Sequence, residues 1–156
     1  MKYKGKKLEG RNTDILVLQK GDDRVVFKAE AIENYVEFSK LVPIPEPPVK
    51  LLPGGSRVAN TDDVNFRKAM EQYAQSKTDY LVIKSLAATT DLEWEKVDLT
   101  KPETWGGWKK ELEEAGFTEF ECMRIMQLVT RVNSLDDAML EAAKQSFLQE
   151  TLQHAR

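Results

Sequence analysis

A chain of 156 residues, 41% apolar and 31% charged, has the material for one domain or a small domain with an appendage, and not for several. Its 23 Lys and Arg against 26 Asp and Glu leave a net charge of −3, which argues against a dedicated nucleic-acid binder, because such domains carry a basic stripe. The single cysteine, Cys122, excludes an intramolecular disulfide, and no run of about 18 apolar residues offers a transmembrane helix.

Residues 1–32 read as β-structure. Ile15 to Leu18 and Arg24 to Ala29 are apolar, β-branched runs separated by Gln19-Lys20-Gly21-Asp22-Asp23, a hairpin signal. An earlier strand runs through Tyr3 to Leu8, where lysines alternate with larger residues and guard an edge. The same lysines admit a phosphate-binding reading. Without an apolar stretch behind them, they are not read as a signal peptide. Ala31 to Leu41 has helical apolar spacing and stops at Val42-Pro43-Ile44-Pro45-Glu46-Pro47-Pro48, an extended connector or a ligand for a proline-reading domain. Val49 to Ala59 contains Pro53-Gly54-Gly55-Ser56, read as a flexible loop; the Gly-Lys-Ser/Thr ending of a phosphate-binding loop is missing.

The rest is helical. Thr61-Asp62-Asp63 caps a helix that carries Phe66, Met70, Tyr73, Tyr80 and Ile83 toward Leu86, with a soft point at Ser76 to Asp79. Leu92 to Leu99 alternates apolar and charged side chains and reads as extended or a short strand. Thr100-Lys101-Pro102-Glu103 resembles a helix start, followed by Trp105, Trp108 and Leu112, with Gly116 as terminator. Thr118 to Glu121 is a capping-box pattern, with Phe120, Met123, Met126, Val129 and Val132 expected on the buried side. Ser134 to Asp137 opens the last helix, bearing Met139, Ala142, Phe147 and Leu148. The predicted fold is therefore α+β: an N-terminal antiparallel hairpin or small sheet with a short helix and proline-rich connector (1–48), then a C-terminal α-helical bundle (49–156). Two or three strands alone bury too little to be stable, so residues 1–42 are expected to contact the helices.

No constellation for bond-breaking chemistry emerges. His154 is the only histidine and Cys122 the only cysteine, so no metal site and no cofactor is expected, and Asp62-Asp63 lacks the spacing of a calcium loop. Cys122, within a helical pattern, reads as a small buried hydrophobe or a reactive thiol. All three tryptophans lie between 94 and 108. Trp94, Trp105 and Trp108 read as core, or as exposed anchors for a protein partner, since tryptophan is enriched at binding hot spots. Their acidic surroundings oppose nucleic acid.

The order of features from residue 30 to 150 resembles a family. It comprises Phe38 and Leu41-Val42-Pro43-Ile44-Pro45-Glu46-Pro47-Pro48, Lys84-Ser85-Leu86, Leu92-Glu93-Trp94-Glu95-Lys96-Val97-Asp98, Pro102-Glu103-Thr104-Trp105, Glu111-Leu112 and Ala115-Gly116-Phe117. The pattern is similar to the tail assembly chaperones of tailed bacteriophages. That resemblance implies a non-enzymatic protein of the host cytoplasm. It would bind the helical tape-measure protein and recruit tail-tube protein, without nucleic acid or membrane and with scope for homo-oligomers. A helical apolar groove suits this task, and Trp105, Trp108, Met123, Met126 and Met139 are its candidate residues, with Trp94 as a further contact. A structural virion protein and a module that binds a host protein are the alternatives.

Overall fold

Glycines between short extended runs become the bends of three antiparallel hairpins among the described residues. The computed structural model describes residues 1–154 and is α+β. Strands β1 (Lys2–Tyr3) and β2 (Lys6–Lys7) form the first hairpin, β3 (Thr13–Lys20) and β4 (Asp23–Glu30) the second, β5 (Val49–Leu51) and β6 (Arg57–Ala59) the third. In the second, Lys20 pairs with Asp23 around Gly21-Asp22, and Gly21 sits at φ 60°. A glycine at that first turn position matches a type II′ bend, whose twist suits the flanking strands.

The third hairpin was not expected: the loop read at Pro53 to Ser56 is its turn, with a strand on either side. Leu52 N–H donates to the Ser56 carbonyl at 2.8 Å, and Gly55 N–H to the Leu52 carbonyl at 3.1 Å. The glycine pair supplies turn geometry rather than looseness. Helix α1 spans only Val36–Leu41, shorter than the predicted 31–41: the Ile32 N–H is taken by Asn133 Oδ1, and Asn34 Oδ1 accepts the Val36 N–H at the helix start. Helix α2 is continuous over Val64–Leu86. Its start is capped by Asp63, which accepts the Phe66 N–H at 2.9 Å. The stretch 76–79 does not interrupt it: Thr78 donates to the Ala74 carbonyl and Gln75 to Asp79, so these polar groups bond along the helix.

Residues 92–99 form no strand. The N–H groups of Glu95, Lys96 and Val97 donate to the carboxylate of Glu111 instead of to a neighbouring strand. A 3₁₀ turn at Pro102–Gly107 then leads into α3 (Trp108–Glu114), and Gly116 at φ 91° ends it. The helix start read at Thr100 lies one residue later, at Lys101, without a side-chain cap. Helix α4 (Glu119–Val132) opens with the full capping box: Thr118 accepts the Glu121 N–H, and Glu121 accepts the Thr118 N–H. Helix α5 covers Asp137–His154.

The chain divides into two compact units, one of Met1–Glu33, Ser85–Leu92 and Phe117 onward, the other of Asn34–Lys84 and Glu93–Gly116. In the first, β3 and β4 pack on α4. Alternation buries Phe27 and Ala29 on one face of the hairpin and leaves Ile15, Val17 and Val26 exposed on the other. Phe27 meets Phe117 edge-on at 5.5 Å. On α4 the buried residues are Cys122, Ile125, Leu128, Val129 and Val132.

This corrects the predicted face of α4. Phe120 is 78% and Met123 54% exposed. A strict i, i+3 series turns by about −60° at each step on a helix of 3.6 residues per turn, so it cannot keep to one side over four steps. The observed set 122, 125, 129 and 132 alternates threes and fours and does.

Candidate functional site

The tryptophans belong to the second unit. Phe38, at 0% exposure, sits among Tyr35, Tyr73, Tyr80 and Trp105, with ring centroids 5.5 to 5.8 Å away. Trp105 is also 0% exposed, and its indole N–H donates to the Asp98 carbonyl at 3.0 Å. The Trp108 indole N–H donates to Asp79 Oδ1 at 2.9 Å, and Gln75 Nε2 reaches the same oxygen at 3.1 Å. Both indoles therefore have their polar atom satisfied inside the protein, as buried tryptophan requires. Trp94 is half-buried, on the loop held by Glu111. Trp105 and Trp108 thus spend their area on the core.

Electrostatics in this unit follow the same logic. Burial pushes the Tyr35 and Tyr80 phenols above their ordinary values, with the neighbouring phenol adding to the first and Glu37 to the second. The hydroxyl and backbone N–H of Thr100 hold the Asp98 carboxyl below the usual range. The ammonium of Lys77 lies 4.5 Å from the Tyr35 ring centroid. Among the described residues, no three or more metal-ligating side chains converge.

The candidate methionines Met123, Met126 and Met139 lie in the first unit. Met126 is half-buried, whereas Met123 on α4 and Met139 on α5 are exposed. Other large apolar side chains of the same two helices are exposed as well. Every residue of α5 from Asp137 to His154 is exposed, and the helix buries none. Leu140, Phe147, Leu148 and Leu152 are 43 to 69% accessible, and Phe120 adds a phenyl ring on α4. Sequence reasoning placed Phe120 on the buried side of α4, put Phe147 and Leu148 on the last helix without assigning them a side, and passed over Leu140 and Leu152. Helical rotation, followed residue by residue, was the signal available for Phe120; nothing in the composition of α5 marks it as unburied.

The arrangement offers area to a partner. Scattered single apolar residues on a surface need no explanation, but a whole helix with none of its apolar residues covered does. No known protein family, curated protein or solved structure matches the chain.

Proposed function

We propose that the protein is a non-enzymatic, chaperone-like assembly factor of a tailed bacteriophage, acting in the host cytoplasm and holding the helical tape-measure protein, with or without tail-tube protein, on α5 and the exposed stripe of α4. The observation that carries this reading is α5: a helix of 18 residues with every residue exposed and five large apolar side chains uncovered. An isolated helix of that length is marginal in water, and tertiary packing normally supplies its stability. A partner helix laid against it supplies the missing contact in the helix-in-groove manner. Met123 and Met139 suit a repetitive partner whose stripe varies, because thioether side chains repack cheaply. The resemblance over residues 30–150 names the assembly context.

The test is co-expression of the chain with a tape-measure segment, together with a search for the chain in purified particles. The reading expects the segment to stay soluble with the wild type, to precipitate with Leu140→Glu or Phe147→Glu, and the chain to be absent from particles. A fixed copy number in particles overturns it in favour of a structural virion protein. That second reading draws on the three hairpins, each a sheet of two strands with no third strand beside it among the described residues. Recovery of a host protein alone overturns both.

A further inference from the structure

In an antiparallel pair, residues alternate between those bonded to the neighbouring strand and those whose N–H and C=O point away from it. Lys28 is of the second kind: its N–H donates to Thr89 Oγ1 at 2.9 Å, and the Thr89 hydroxyl donates to the Lys28 carbonyl at 2.9 Å. One side chain thus gives Lys28 what a third strand would give. The period of two then turns the backbone groups of Val26 and Arg24 to the same outer edge, while Phe27 and Val25 bond to β3. Along that edge, all within the first unit, lies an open cavity of about 290 Å³ whose walls include Arg24, Val26, Phe27, Thr89, Asp91 and Leu92. The opposite edge of the hairpin is obstructed. There Asp14 accepts the Ile15 N–H at 2.8 Å and lies 3.7 Å from the Arg131 guanidinium.

We propose that the outer edge of β4 takes an extended segment of a partner polypeptide as a third strand, with an acidic group of that segment against Arg24 and a basic group against Asp91. The backbone groups of Val26 and Arg24 supply strand-type hydrogen bonds, the mode in which main chain gives affinity and side chains give choice. Val26, Phe27 and Leu92 give an apolar wall. Arg24 and Asp91 have no ion-pair partner among the described residues, so the cavity presents one uncompensated charge of each sign. A polypeptide carries both signs; a nucleic acid or an acyl chain does not. A second copy of β4 is a poor occupant. Two-fold pairing about Val26 sets each Arg24 against the other copy's Lys28, like charges, where Thr89 already bonds.

The probe is a displayed library of random heptapeptides selected on the whole chain, with enriched peptides titrated by NMR and amide hydrogen exchange. The expected result is protection of the Arg24 and Val26 amides on binding. Arg24→Glu is expected to weaken binding at least about tenfold, with Arg24→Lys keeping most of it. Val26→Pro removes an N–H that points away from β3, so it leaves the hairpin ladder intact and abolishes the same binding. Should that proline disturb the β3–β4 amides, Arg24→Glu decides alone. An unenriched library overturns the proposal. So do peptides indifferent to Arg24→Glu, or peptides whose protection maps to α5.

Discussion

Asn133 is the residue whose loss the first unit should feel most for its size. Its Oδ1 accepts the Ile32 N–H at 2.9 Å, and its Nδ2 donates to Ser85 Oγ at 2.9 Å and to the Val129 carbonyl at 2.8 Å. The amide can point only this way, since the reverse sets oxygen against the carbonyl and NH2 against the N–H. Three chain segments, at 32, 85 and 129–133, meet on one side chain. Asn133→Ala removes all three bonds. The Val129 carbonyl keeps the Asn133 N–H at 3.2 Å, so that loss is small. Ser85 is 0% exposed, and its oxygen loses the amide donor that reaches it. The Ile32 N–H, half-buried, loses its acceptor. At about 1 kcal/mol for each bond, and more for a buried group left unmatched, the cost is about 2–4 kcal/mol. Urea unfolding should show a lower midpoint at unchanged slope. Asn133→Asp keeps the acceptor for Ile32 but brings a carboxylate to the Val129 carbonyl, and should be at least as damaging. In a cycle with Ser85→Ala, the coupling should be about 0.5–1.5 kcal/mol. A cost below about 0.5 kcal/mol, or an Ile32 amide that exchanges no faster in Asn133→Ala, refutes the account.

Glu111→Ala should cost about 1–3 kcal/mol, moderated because water replaces part of what the exposed donors lose; faster exchange at the 95–97 amides and a red shift of Trp94 emission are the readouts. Ile125→Ala, at a site with 0% exposure, should cost about 2–5 kcal/mol, whereas Phe147→Ser, at a residue 61% exposed, should move the urea midpoint by less than about 0.5 kcal/mol. The Tyr80 phenol is raised in the folded state, so its contribution is intact below the ordinary value near pH 10 and is lost as pH rises through the higher folded value. Tyr80→Phe should therefore flatten the alkaline limb of a stability profile, and an unchanged limb counts against the assignment. Ser134 holds φ 57° at the end of α4 without being glycine, so Ser134→Gly should raise thermal stability by up to about 1 kcal/mol.

Local chemistry was readable along the chain wherever a few neighbouring residues decide the outcome. Gly21 between two β-branched runs announced the second hairpin, Thr118 with Glu121 announced the start of α4, and Gly116 the end of α3. Trp105, Trp108 and Leu112 at helical spacing are buried together. What escaped depends on residues distant in sequence. The alternation at 92–99 has the period of a strand, but no strand lies beside it, and Glu111 takes its N–H groups from outside the window. The β5–β6 hairpin is exposed along both strands, so no apolar alternation marked it. Of the candidate surface, Met123 and Met139 were nominated, yet for a groove shared with Trp105 and Trp108, which are core. Whether an apolar helix is covered depends on which elements the rest of the chain brings to it, and neither composition nor spacing contains that.

Helices α4 and α5 make the point from one stretch of chain. In α4 the buried residues occupy an arc of about 120°, from Leu128 round to Cys122, which one hairpin face can cover. In α5 the apolar residues fall on two seams. Met139, Leu140, Ala143 and Phe147 form one, and Leu148 with Leu152 the other, centred about 145° further round at 3.6 residues per turn. A single flat surface laid on the first seam leaves the second in water. Two helices astride α5 cover both, so the geometry favours an occupant that supplies two strips, whether two segments of one partner or two copies. An isolated helix is marginal in water, so any loss of freedom in α5 on binding subtracts from the affinity its area suggests. The role proposed above, holding an aggregation-prone helix and later surrendering it, would need that combination of large contact and modest net affinity.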